Sequence, residues 1–184
     1  MARLLRGAPA AERDLLRAAH AVAARAHSGQ IRRRGAPYIE HPVDVALILR
    51  DELGVSDPAI LAAALLHDAV EDSDLTLADL AAFPRRTREL VALLTDPEPQ
   101  MSPGRRREHL AEICRDADGT LLKAADRLSN LRHMAGDPDS VARLGLARRT
   151  RTELLAPGLP LGAHPVAGPL LAEAVAAVER GTGP

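Results

Sequence analysis

Ala62-Ala63-Ala64-Leu65-Leu66-His67-Asp68-Ala69-Val70-Glu71-Asp72-Ser73 decides the fold of this chain, because it begins without a polar face and ends in four ionisable side chains. A helix that is apolar all round belongs inside a helical bundle. Ionisable groups left unpaired at such a position cost on the order of several kcal/mol each, so they require a ligand or a network. At about 100° per residue, His67, Asp68, Glu71 and Asp72 share one arc of roughly 140°. One wall then carries an imidazole and three carboxylates, a donor set for a divalent metal ion.

The rest of the chain agrees with a helical reading. Hydrophobic residues make up 46% of the 184 positions, mostly Ala and Leu, and the aromatics are Tyr38 and Phe83 alone. β-branched residues are scattered rather than set in alternating runs, which favours an all-α, compact multi-helix bundle with a central metal site. The length suits a single domain spanning 1–184, with its motifs at about 20–135 and helices at 138–180 beyond them. The net charge of −1 offers no global field for nucleic acid or a membrane. One cysteine, Cys114, excludes an internal disulfide framework and fits a reducing, cytoplasmic setting. No stretch reads as a bilayer span, and the first residues lack the apolar centre of a signal peptide.

Apolar spacing predicts a helix from Glu12 to Ala26 that stops at Ser28-Gly29. A polar loop with Arg32, Arg33 and Arg34 follows. Pro42, as a first helical residue, opens a second helix that ends at Gly54. Asp57-Pro58 reads as the cap and first turn of a third helix running to about Asp72. Thr76 and Asp79 form a capping-box pattern for a short helix to Phe83-Pro84, and Arg86 to Leu94 makes another. Pro97, Pro99, Pro103 and Gly104 mark a loop, after which helices are expected at 105–116, 120–135, 138–156 and 168–180. Pro157, Pro160, Pro165 and Pro169 make the last connection irregular.

Three segments look like partners of His67-Asp68. Pro37-Tyr38-Ile39-Glu40-His41-Pro42 sets His41 at the mouth of a helix, and Lys123-Ala124-Ala125-Asp126-Arg127-Leu128-Ser129-Asn130 puts Asp126 and Asn130 on one helical face. The third is the arginine loop. Two imidazoles and two carboxylates suit Mn²⁺, Fe²⁺ or Zn²⁺ better than Ca²⁺.

These residues resemble the HD-type hydrolase domain of the RelA/SpoT alarmone enzymes, and above all the stand-alone small alarmone hydrolases. The resemblance runs from about Ala26 to Asn130. It is carried by AHSGQIRRRGAPYIEHPVDVA at 26–46, AALLHDAVED at 63–72 and LKAADRLSNLR at 122–132. It implies His41, His67, Asp68 and Asp126 as metal ligands, with Mn²⁺ the usual ion. It implies Glu71 and Asp72 as the acidic pair that positions or activates the attacking water. Asn130 falls on a polar pocket residue, and Arg32 and Arg33 on the basic pair that meets the nucleotide phosphates. The implied reaction removes the 3′-pyrophosphate of ppGpp or pppGpp, giving GDP or GTP. The implied partner is thus a small nucleotide, with no nucleic acid or membrane, and the oligomeric state is left open. Ser129 stands where many relatives have a second His, and no aromatic occupies the stretch from Ala147 to Glu153, where relatives often carry a pocket Tyr. Two other functions fit the pattern: an HD phosphatase acting on another nucleotide, such as the 2′-phosphate of NADPH, and a non-catalytic alarmone-binding module.

The remaining candidates read as structure. His20 and His27 suit packing and local hydrogen bonds, Tyr38 suits packing before His41, and Cys114 a small buried hydrophobe. Arg105 to Arg107, with Arg148 and Arg149, read as solvated helix surface.

Overall fold

The computed structural model describes residues 1–98, 101–156 and 159–181. Within them the chain is helical, and its only β-type pairing is the single bridge between Ile31 and Pro37. It forms two compact units, Met1–Ser102 and Pro103–Pro184. Among the described residues no helix is long and apolar enough to cross a membrane.

In the first unit α1 spans Ala10–Ala26, α2 Glu40–Asp51, α3 Pro58–Leu66 and α4 Arg85–Leu94, with a 3₁₀ turn at Leu77–Leu80 between the last two. The short α3 is the axis: Ile60, Leu61, Ala62, Ala63, Ala64, Leu65 and Leu66 are all buried, and α1, α2 and α4 pack around it. Its start follows from its sequence. Asp57 accepts a hydrogen bond from the Ala59 amide at 2.8 Å, and Pro58 fills a first-turn position that needs no donor. α1 turns Leu16, Ala19 and Ala23 inward, and α2 buries His41, Pro42, Val45, Ala46, Ile48 and Leu49. Thr87 of α4 donates to the Ala59 carbonyl at 2.8 Å, which satisfies its buried hydroxyl. α2 closes as expected near Gly54, whose φ of 74° favours glycine. The Thr76–Asp79 capping box is present, with the Thr76 amide donating to Asp79 at 2.8 Å.

Two expectations in this unit need correction. α2 begins at Glu40 rather than Pro42, so Pro42 sits in its first turn. α3 ends at Leu66 rather than near Asp72, and the chain continues through turns. The cause is local: His67 Nδ1 lies 2.9 Å from the Ala64 carbonyl, the acceptor that a continuing helix would offer to the Asp68 amide. The Asp72 amide still donates to the Asp68 carbonyl at 2.9 Å, so a helical pitch is partly kept and the acidic pair remains beside the His-Asp pair.

In the second unit α5 spans Pro103–Ile113, α6 Ala117–Met134, α7 Ser140–Glu153, α8 Pro160–Ala163 and α9 Ala167–Arg180. α6 is its centre and packs with the other four. Asp116 caps α6 through the Gly119 amide, and Asp139 caps α7 through the amides of Val141 and Ala142. The irregular connection expected before the last helix contains the single turn α8. Pro99 and Pro157, both taken as loop markers, lie outside the described residues.

Because α3 has no solvent face, truncating it leaves a void that its neighbours fill only in part. Leu65→Ala is expected to lower stability by about 2–5 kcal/mol, measured as a fall in the urea midpoint at unchanged helical circular dichroism.

Candidate metal centre

Two helix ends and one loop build the site in the first unit. His67 follows the last turn of α3, His41 lies in the first turn of α2, and both are almost wholly buried. The ligand atoms offered by His41, His67 and Asp68 all lie within 4.8 Å of one another. His67 Nε2 is 3.1 Å from Asp68 Oδ1, and His41 Nε2 is 3.4 Å from Asp68 Oδ2. The two imidazoles meet edge to face, 5.2 Å between centroids. Burial pushes the Asp68 carboxyl up, but the adjacent His67 and His41 overcome that effect and hold it well below the usual carboxylate range.

The donor chemistry fits a cation. A carbonyl only accepts, so the bond to Ala64 assigns the proton of neutral His67 to Nδ1 and leaves a lone pair on Nε2. Nε2 lies 3.1 Å from a carboxylate oxygen, a contact made favourable by a second proton on the imidazole or by a cation that both groups share. Backbone-fixed imidazoles of this kind are a common way to present a metal ligand.

Glu71 and Asp72 lie beside the cluster on its exposed side. Burial raises the Glu71 carboxyl, with Asp96, Asp68 and Asp72 adding to the rise, while the Asp96 amide donates to Glu71 Oε2 at 3.2 Å and partly offsets it. Burial also raises Asp72, followed by the charge of Asp68, and the Tyr38 hydroxyl pulls it back. The cluster and its acidic neighbours thus hold more negative charge than the buried imidazoles alone balance.

The loop before α2 folds tightly on itself. The Arg32 amide donates to the Ala36 carbonyl at 2.8 Å, the Gly35 amide to the Arg32 carbonyl at 2.8 Å, and the Tyr38 amide to the Gln30 carbonyl at 3.0 Å. Gly35 makes the reversal with φ of 84°. Arg33 is exposed at the turn. The Arg32 side chain is only 8% exposed and lies 4.0 Å from Asp44 of α2, so part of its role is to hold the loop against that helix.

Asp126 and Asn130 belong to α6 in the second unit. Asn130 Nδ2 donates to Asp126 Oδ1 at 2.7 Å, and Lys123 Nζ lies 3.2 Å from Asp126 Oδ2. The structure therefore brings His41, His67 and Asp68 together, sets Glu71 and Asp72 beside them, and unites Asp126 with Asn130 on their own helix. Thr150, in the stretch without a pocket aromatic, is buried and bonded to Arg127 at 3.2 Å. Burial raises the Cys114 thiol, which agrees with an inert residue.

Sequence reading missed two neighbours. The Tyr38 hydroxyl donates to Asp68 Oδ2 at 2.7 Å, beyond the packing role expected of it. Lys123 was passed over beside Asp126. Both precede a proposed ligand by three residues, the spacing at which side chains share a helical face.

With this geometry in place, comparison assigns the class. A model of the HD domain family matches residues 19–152, and the chain belongs to that family. The HD fold and the His/Asp cluster together point to a divalent metal. Among particular relatives, human guanosine-3′,5′-bis(diphosphate) 3′-pyrophosphohydrolase MESH1 is 42% identical over 116 residues, covering 61% of this chain and 65% of that protein. The guanosine-3′,5′-bis(diphosphate) 3′-pyrophosphohydrolase of Vibrio cholerae is 38% identical over 153 residues, 78% of this chain and 21% of that one. The match thus spans just under two thirds of the human relative and a fifth of the bacterial one. A solved structure described as a metazoan ortholog of SpoT that hydrolyzes ppGpp is 26% identical, with a TM-score of 0.72 over 91% of this chain and 95% of that one.

The raised carboxyls carry a pH signature. A group whose native pKa lies above its ordinary value weakens the fold as pH rises through that native value, and has no effect where it is protonated in both states. In metal-free protein, Glu71→Gln and Asp72→Asn should therefore raise the melting temperature at pH 7. The gain should vanish as pH falls below the ordinary values of 4.5 and 3.8, read from melting curves in chelator across that range.

Proposed function

We propose that this protein is a metal-dependent guanosine-3′,5′-bis(diphosphate) 3′-pyrophosphohydrolase, which takes ppGpp or pppGpp and water to GDP or GTP and pyrophosphate. The observation that carries the reading is the cluster of Asp68 with the buried His41 and His67, with Glu71 and Asp72 on its exposed side. The names of the relatives above support the substrate. The HD match runs across the division at residues 102 and 103, which supports treating both units as one domain.

In this reading His41, His67 and Asp68 hold the metal, Asp126 of α6 is the fourth ligand, and Mn²⁺ is the ion. A divalent ion so held lowers the pKa of a water and neutralises charge developing on the phosphoryl oxygens. Glu71, raised by burial, orients the attacking water and accepts its proton, with Asp72 as its partner. Arg33 meets the phosphates from the loop, and Arg32 adds positive charge while bracing that loop on Asp44. Asn130 lines the nucleotide pocket. The water oxygen ends on pyrophosphate, and the 3′ oxygen leaves on the nucleoside with a proton. The single cysteine supports a reducing, cytoplasmic setting for this activity.

Purified protein with Mn²⁺ and ppGpp should release pyrophosphate and GDP; inertness across divalent metals, or phosphate release from NADPH alone, overturns the substrate. His67→Ala should lose metal as well as turnover. Glu71→Ala should keep metal while kcat falls about 10²–10⁴-fold, as followed by metal analysis and product chromatography on the same samples.

A further inference from the structure

Five side chains between the end of α1 and the turns after α3 form one connected arrangement. His27 closes α1, is buried, and has Nδ1 2.9 Å from Gln30 Oε1. Gln30 Nε2 donates to the Asp72 carbonyl at 2.9 Å, so the amide is oriented by two partners. The Tyr38 ring lies on the His27 ring, 4.6 Å between centroids, and presents its edge to His41 at 5.6 Å. Its hydroxyl donates to Asp68 Oδ2 at 2.7 Å. The Tyr38 carbonyl accepts the His41 amide at 2.8 Å, so the backbone of the same residue sets the entry of His41 into the cluster.

We infer that Tyr38, seated on His27, is the positioning residue of the metal centre, fixing Asp68 relative to His41, while Gln30 of the same arrangement holds Asp72. This inference rests on the metal-centre reading above. A phenol carries one proton, and here it goes to Asp68, so the hydroxyl is a single short link to a ligand carboxylate. The stacked His27 ring restricts the phenol to one plane, and Gln30 holds the Asp72 backbone independently of its side chain. Tyr38 touches neither water nor phosphate in this role: it acts through the Asp68 carboxylate. Partners of this kind beyond the ligands themselves set ligand orientation and metal affinity.

Tyr38→Phe keeps the ring and its stacking and deletes only the hydroxyl. Titrated with Mn²⁺ in the calorimeter, this variant should bind about 10–100-fold more weakly than wild type, while the melting temperature in chelator stays at the wild-type value. Gln30→Ala, a substitution at a partly exposed position, should keep Mn²⁺ affinity within about threefold and lower kcat at unchanged KM, because it releases Asp72 but no ligand. Wild-type Mn²⁺ affinity and kcat in both variants overturn the inference. So does a Tyr38→Phe protein that melts early in chelator while the Gln30→Ala kinetics remain those of wild type, since Tyr38 is then a packing residue. Wild-type protein that binds no divalent metal removes the metal-centre reading itself, a result distinct from either variant outcome.

Discussion

The close approach of an imidazole and a carboxylate at the buried end of α3 is the constraint on which the rest of the site depends. The Ala64 carbonyl fixes His67 Nδ1 as a donor, which turns Nε2 towards Asp68 at 3.1 Å. Glu71 and Asp72 add negative charge beside it. No rotation of these groups separates them, because the helix that places them is buried on every side. Positive charge has to sit there, as a second proton on His67 or as a bound cation, and the donor set suits a divalent metal.

The same hydrogen bond explains the shape of the chain around it. By occupying the Ala64 carbonyl, His67 ends α3 after nine residues and releases the following segment into turns. Those turns let the Asp72 carbonyl receive Gln30 and leave Glu71 facing the Asp96 amide. A straight helix to Asp72 would have directed these groups along its own axis. Function and helix termination are thus one event at one residue.

The apolar axis and the caps are legible in the sequence because each depends on short-range pattern, whereas the expectation that His41 joins His67 and Asp68 comes from motif resemblance. An uninterrupted apolar run predicts burial of α3, Asp57-Pro58 predicts its first turn, and Thr76 with Asp79 predicts a capping box that the structure contains. The end of α3 was not legible: the periodicity continues to Asp72, and only the three-dimensional bond from His67 to Ala64 breaks it. Tyr38 was read as packing because a phenol before a helix usually is; its bond to Asp68 joins residues 30 positions apart, which no local pattern encodes. Arg32, expected to meet the nucleotide, also has a mostly buried side chain 4.0 Å from Asp44 one turn into α2, a contact that no local pattern announces. The roles of Asp126 and Asn130 rest on motif resemblance, since spacing alone shows only that they share a helical face.

The hairpin from Gln30 to Tyr38 has a consequence for how this loop tolerates change. Its backbone bonds and the positive φ of Gly35 fix its length, so the outward tip at Arg33 and the inward ring of Tyr38 ride on a single stiff staple. Exchanging a polar side chain along it leaves that register intact, whereas inserting or deleting one residue swings tip and ring together. Natural drift here should therefore hold the spacing and alter letters only away from Gln30, Arg33, Gly35 and Tyr38, the reverse of what a surface loop normally permits.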